Sequence, residues 1–221
     1  MTEEKATPLH PQPAGTLHAL RAASSPPDGA DACDLLSPEQ VLEELPMERL
    51  RQAEAVVRRF FPPTPLLEAP RLSRRLGARV WLKVETVTPV RVFKIRGALA
   101  RVARLPDGVG VVTASTGNHG LAVARAARLS GRRAVIFVPQ HANPRKVEAI
   151  RADGARVVPH GVDYFEAYQA AVDLARREGL AFVHAYDDPD VIAGQATIAL
   201  ELAGQGEFDC VLCGVGGGGL V

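Results

Sequence analysis

The sequence predicts an α/β protein whose parallel sheet is covered by helices. Three observations carry this reading. From Arg79 onward, short apolar runs alternate with segments of helical spacing. Gly131, Gly154 and Gly179 fall where those helical segments should stop. At 221 residues and 47% apolar content, the chain is large and apolar enough to bury a core of one or two domains.

Residues 1–40 are rich in Pro, Ala, Ser and Asp without apolar period, and read as a disordered arm. Ser37 is placed to cap a short helix reaching about Leu45. Met47 to Phe61 carries Leu50, Ala53, Val56, Val57 and Phe60 at helical spacing, and Pro62-Pro63 stops it. Thr64 to Leu67 reads as a turn leading to a helical segment that Gly77 ends. Strands are then expected at Val80–Val84, Val109–Thr113, Ala134–Val138, Arg156–Pro159, Ala181–His184 and Cys210–Cys213. Helices are expected at Phe93–Leu105, Asn118–Leu129, Pro144–Ala152, Asp163–Glu178 and Val191–Leu202.

A net charge of +1 gives no reason to expect nucleic acid or an acidic membrane surface. No apolar run approaches the roughly 18 residues of a membrane span, and the N-terminus lacks the apolar core of a signal peptide. Three cysteines, Cys33, Cys210 and Cys213, argue for a reducing compartment, so a cytoplasmic location is expected. Cys210 and Cys213 read as buried strand thiols, since no second pair completes a zinc site, and no metal is expected. Asp187-Asp188-Pro189-Asp190 reads as a solvated turn capping the next helix.

Three stretches carry candidate chemistry. Val92-Phe93-Lys94-Ile95-Arg96-Gly97-Ala98 opens a helical run, and its apolar–basic alternation suits a lysine turned into a site. On this stretch alone, a lysine on a solvated helix face is the simpler reading. Ser115-Thr116-Gly117-Asn118-His119-Gly120 sets two hydroxyls and free N–H groups at a helix start, which suits a carboxylate or phosphate. An N-cap is the plainer alternative. Gly216, Gly217, Gly218 and Gly219 expose successive N–H groups that could cup a phosphate, with a flexible linker as the alternative. Ligands of such folds sit beyond the carboxyl ends of the strands, and each stretch follows an expected strand.

In this order the stretches resemble those of pyridoxal-phosphate enzymes of the tryptophan synthase β-subunit type (fold type II). The resemblance is closest to the serine/threonine dehydratases, with serine racemase a near relation. It runs from about Pro63 to Val221. It includes Leu82-Lys83-Val84-Glu85, the Lys94 and Ser115 stretches, Asp187 to Gln195, Thr197 to Glu201, and Val215 to Leu220. The resemblance implies two domains with parallel sheets and flanking helices: a larger one from 41–107 and 188–221, and a smaller one from 108–187. It also implies that the cofactor is pyridoxal 5′-phosphate. Lys94 would be the lysine that holds it and the base for the substrate α-proton. Phe93 would pack beside the cofactor, Asn118 would bond its ring oxygen, and Gly216 to Gly219 would cradle its phosphate. Ser115, Thr116, Gly117, Asn118 and His119 would bind the substrate carboxylate.

The implied activity is deamination of L-threonine or L-serine to a 2-oxo acid and ammonia. A serine racemase and a dehydratase of another β-hydroxy amino acid remain as alternatives. The implied partners are a small amino-acid substrate and, for the full-length protein, further copies of the chain. The sequence departs from the family in three places: Val92 stands for a usual Ser, Thr116 for Ala or Ser, and Ala196 for Gly. The chain stops two residues after the glycine run, so the larger domain is expected to be truncated and the site incomplete, with an inactive fragment as the third alternative.

Overall fold

The computed structural model describes residue 43 and residues 45–220. The arm and most of the short helix expected from Ser37 lie outside the described residues. Seven helices and six strands follow in order from Met47. They are α1 (Met47–Arg58), β1 (Leu66–Glu68), α2 (Pro70–Leu76), β2 (Trp81–Lys83), α3 (Lys94–Ala103), β3 (Val111–Ala114) and α4 (Asn118–Leu129). The chain continues through β4 (Ala134–Val138), α5 (Pro144–Ala152), β5 (Arg156–Pro159), α6 (Tyr164–Glu178), β6 (Ala181–Phe182) and α7 (Pro189–Gln205). A short 3-10 turn, Glu85–Val87, precedes α3.

Four strands form one parallel sheet in the order β5-β4-β3-β6. β3 and β4 are buried at every residue, because helices cover both faces and their near-continuous Val/Ile/Ala runs have no solvated side. On one face Val111, Ile136 and Val138 pack with α4 (Ala122, Val123, Ala126) and α3 (Ile95, Leu99, Val102). On the other, Val112, Val135 and Phe137 pack with α6 (Ala167, Ala171, Leu174).

The strand order places a crossover between β3 and β6. From β3 the chain winds outward to β4 and β5, then returns to lay β6 on the opposite side of β3. The segments leaving the carboxyl ends of β3 and β6 therefore diverge, and a crevice opens between them, where open α/β sheets take ligands.

Two expected elements differ. Leu66–Glu68 is a strand rather than a turn, and it pairs antiparallel with β2, Leu66 opposite Lys83 and Glu68 opposite Trp81. The Val80–Val84 run thus belongs to a separate two-stranded sheet. Pro65 reads locally as a breaker, yet it sits just outside the ladder, where only its carbonyl is needed, accepting from Val84 N at 2.9 Å. Cys210–Cys213 forms no strand, and both thiols are exposed. No described strand pairs with this run, and a strand exists only through its ladder. Leu212 is accordingly 92% exposed.

Helix α3 is held against α7 by two facing glycines. A Cβ on Gly194 would stand 2.5 Å from the Arg96 carbonyl oxygen and 2.5 Å from Gly97 Cα. The crossing is sealed by Gly97 N–H donating to Gln195 Oε1 at 3.2 Å. At the start of α7, Asp188 caps the helix by accepting from Asp190 and Val191 N–H. The expected cap is therefore present. The turn is less solvated than expected, because Asp190 is buried against Arg49 and Arg104 and Asp188 pairs with Arg101.

Candidate active site

Lys94 is the first residue of α3. The turn before it is clamped by Thr88, whose buried hydroxyl donates to the Val92 carbonyl (3.0 Å) and accepts from Val92 N–H (2.9 Å). Within that turn Arg91 adopts φ +59°, a left-handed conformation that costs a non-glycine residue about 1 kcal/mol. Strain of this kind persists where the surroundings over-determine the chain.

The Lys94 ammonium is half-buried and donates to the Ala185 carbonyl at 3.3 Å, and its Nζ lies 5.3 Å from the centre of the Phe93 ring. No described carboxylate reaches ion-pair distance of it. A cation at the first turn of a helix also opposes the helix dipole. Burial pushes its pKa below the ordinary lysine value. A lysine so placed exposes a neutral amine more readily than a surface lysine does.

Two residues further on, Arg96 is fully buried in a network that sequence reasoning did not find. It grips Glu85 through Nε (2.8 Å) and Nη2 (2.9 Å), and Glu201 through Nη1 (2.8 Å) and Nη2 (3.0 Å). Lys83 Nζ adds a 2.6 Å bond to the same Glu201. Burial alone would lower the Arg96 pKa, but its bonds to Glu85 and Glu201 raise it overall; the same contacts hold Glu201 below its usual value against burial. These partners lie 11 and 105 positions away in sequence, so no local pattern announces them.

The Ser115–Gly120 stretch leaves the carboxyl end of β3 and opens α4. Neither Ser115 nor Thr116 caps the helix: its N-cap is Gly117, which makes no side-chain cap bond. Ser115 Oγ instead accepts from Gly117 N–H at 3.2 Å. The first-turn N–H groups of α4 therefore keep their capacity to bind an anion. Thr116 and Asn118 are exposed, and Lys146 Nζ stands 3.7 Å from where a Gly117 Cβ would be. Lys146 is a cation that sequence reasoning missed; it comes from α5, 29 residues away from Gly117 by the difference of their numbers.

The His119 side chain points inward. Its Nε2 lies 3.0 Å from the Val183 carbonyl and 3.1 Å from Thr113 Oγ1. A carbonyl only accepts, so Nε2 carries the proton. Burial, with smaller effects of Lys94 and His184, pushes the pKa down to about 4. The ring thus ties α4 to β3 and to the segment after β6, and only the backbone N–H of His119 faces the anion site's chemistry. The unfolded histidine binds a proton near pH 6.5 and the folded one only near 4, so the unfolded state holds more protons in between, and stability falls with acid. A loss of about 3 kcal/mol is expected as pH falls from about 6.5 to about 4, and His119→Gln should flatten that limb of a guanidinium-unfolding series.

The segment after β6 joins these parts and was also missed. Ala185 accepts from Lys94, His184 Nδ1 accepts from Asp187 N–H at 2.7 Å, and Tyr186 packs on the glycine run. A Cβ added to Gly217 would stand 2.7 Å from the Tyr186 ring, and one added to Gly219 would stand 2.9 Å from Tyr186 Cβ and 3.4 Å from the Ala185 oxygen. Gly216 and Gly218 face open space. A cavity of about 550 Å³ is lined by Lys83, Glu85, Phe93, Gln195, Gly214 and Gly219 among others, but not by Lys94 itself. Through contacts with its Val183, Ala185 and Tyr186, the segment after β6 gathers Lys94 with Phe93, Gly217, Gly219 and the inward ring of His119. Thr116 and Asn118 stand exposed just after β3.

A half-buried lysine without a described carboxylate partner thus stands at the sheet crevice, near a glycine run that is packed on Tyr186 at Gly217 and Gly219. The sequence profile described as pyridoxal-phosphate dependent enzyme matches residues 57–221, and the chain belongs to that family. It is 44% identical over 161 residues to the biosynthetic L-threonine dehydratase IlvA of Pasteurella multocida, covering 71% of this chain and 31% of that protein. Threonine deaminase isoform 2 of Solanum lycopersicum superposes with a TM-score of 0.68 at 34% identity, covering 76% of this chain and 46% of that one. Serine racemase of Dictyostelium discoideum superposes with a TM-score of 0.70 at 28% identity, covering 75% and 55%. The chain thus spans about a third of the length of that curated relative.

Proposed function

We propose that this chain carries the lysine-bearing part of a pyridoxal-phosphate-dependent ammonia-lyase acting on L-threonine or L-serine. The observation that carries the reading is the environment of Lys94: half-buried, at a helix start, without a carboxylate partner, and beside the crevice. The residues present suit the cofactor. The open faces of Gly216 and Gly218, backed by the closely packed Gly217 and Gly219, would take the phosphate. Phe93 would flank the ring and Asn118 would meet its oxygen. The α4 first turn, with Ser115, Thr116, Gly117 and the backbone of His119, would hold the substrate carboxylate, and Lys146 would add a positive charge.

Once bound, the cofactor supplies the electron sink that makes the substrate Cα–H acidic. The Lys94 amine takes that proton and holds it at Nζ. Loss of the β-hydroxyl as water and later hydrolysis yield 2-oxobutanoate and ammonia from threonine. Racemisation of serine is a second reading, favoured by the exposed hydroxyl of Thr116 beside Ser115 at the same turn. It predicts D-serine without 2-oxo acid.

Residues 108–187 serve as the smaller domain, since β3–β6 and α4–α6 fall wholly within them, and 41–107 with 188–221 serve as the larger. A cytoplasmic homo-oligomer is the expected setting of the whole protein. No helix among the described residues is long and apolar enough to cross a membrane. The activity is tested by supplying pyridoxal phosphate with threonine, and in parallel with L-serine, to the purified protein: 2-oxobutanoate from threonine, lost in Lys94→Ala, supports the reading, and D-serine without 2-oxo acid from L-serine supports the racemase.

A further inference from the structure

All three tyrosines of the chain, Tyr164, Tyr168 and Tyr186, gather with Phe182 and His184 at the carboxyl end of β6. Tyr186 is the member nearest the crevice. Its ring meets His184 edge-to-face, with centroids 4.5 Å apart at 82°, and the His184 ring is itself fixed by the Asp187 N–H bond. The phenol is therefore carried on a braced ring rather than on a free rotor.

The glycine run lies along this ring in a definite order. A Cβ added to Gly219 would meet Tyr186 Cβ and Cα, whereas one added to Gly217 would meet Cδ1 and Cε1, each at 2.7 Å. Reading back from Gly219 to Gly217, the run climbs from the root of the side chain toward its tip. The hydroxyl, at the far end of the ring from Cβ, therefore lies beyond the ring atoms that Gly217 meets. Side chains at 217 or 219 would collide with the tyrosine, which gives a physical reason for glycine at those positions.

We propose that Tyr186 is a further cofactor-binding residue, whose hydroxyl donates to the phosphate held by the glycine run. This rests on reading the run as the phosphate site. A phenol O–H is a donor to anionic oxygen, and such charge-assisted bonds are shorter and stronger than neutral ones. The braced ring walls the run, and its hydroxyl adds a donor that backbone N–H groups alone would not supply.

The test compares pyridoxal phosphate with pyridoxal, which lacks the phosphate. The intact 221-residue chain and its Tyr186→Phe variant are titrated with each aldehyde, and binding is followed by the visible absorbance of the lysine-bound cofactor. Inorganic phosphate serves as competitor. The parent should prefer the phosphorylated aldehyde. Tyr186→Phe, which keeps the ring and its packing, should lose about tenfold or more of its affinity for pyridoxal phosphate, retain its affinity for pyridoxal, and be competed less well by phosphate. An undiminished preference in Tyr186→Phe, alongside a diminished one in Gly217→Ala, overturns the proposal while leaving the phosphate site in place. A parent that binds both aldehydes equally, or neither saturably, overturns the phosphate site and the proposal with it.

Discussion

Replacing Glu201 by Ala should destabilise the protein by about 3–5 kcal/mol, the cost of leaving a buried charge without its partner. Arg96 is fully buried and divides its donors between Glu85 and Glu201. Without Glu201 its only described carboxylate partner is Glu85, beside the hydroxyls of Thr64 and Thr197, and Lys83 loses its 2.6 Å carboxylate contact. Domains of this size have about 5–15 kcal/mol of stability in total, so the loss is a large share of it. Glu201→Gln should cost less, because one amide oxygen still accepts from Arg96. Chemical-denaturation midpoints for the two variants check the order. The consequence for the site is direct, since Arg96 lies in the first turn of the helix that Lys94 opens. Acid should act in the same direction: the folded carboxyl pKa lies below the unfolded one, so its stabilisation is present above the unfolded value and lost as pH falls through the folded one.

Gly194→Ala should also be costly, by about 3 kcal/mol, as expected for overpacking against atoms that cannot turn aside. Its Cβ would meet Arg96 O, Gly97 Cα and Gly97 N, all backbone, within 2.7 Å. Only separation of α3 from α7 relieves this. That separation would carry Lys94 away from Ala185 and loosen the Gly97–Gln195 bond. Thermal unfolding of Gly194→Ala should therefore show a lowered midpoint. Gly204→Ala, on the same helix with nothing near its Cβ position, should show no such loss.

Local chemistry made much of the sheet legible. The bounds of α4, β4, α5 and β5 agree residue for residue with those expected, because each is set by local signals: buried apolar runs, Pro at a helix start, and glycines of positive φ at 131 and 154. β1 escaped notice because a three-residue exposed strand has no apolar period of its own and exists only through β2. Cys210–Cys213 had the right composition and no partner. At the site, Lys94 and the glycine run were visible as motifs, but their meeting point was not. Ala185 and Tyr186 follow β6 by a few residues and look like an ordinary turn. An aromatic and a histidine just past a strand's carboxyl end, as in Phe182-Val183-His184-Ala185-Tyr186, was the available signal. His119 read as a ligand, whereas its ring is spent on Val183 and Thr113. Lys146 reaches Gly117 only because α5 follows β4 onto the same face of the sheet as α4, a tertiary fact without local trace.

The central claim is that Lys94 is the residue that binds the cofactor aldehyde. Borohydride reduction of the purified protein with pyridoxal phosphate, followed by proteolysis and mass spectrometry, locates the modified lysine directly. The account predicts one dominant site, Lys94, absent from Lys94→Ala. Labelling of Lys83 or Lys146 in its place, or an unchanged yield in Lys94→Ala, would contradict it.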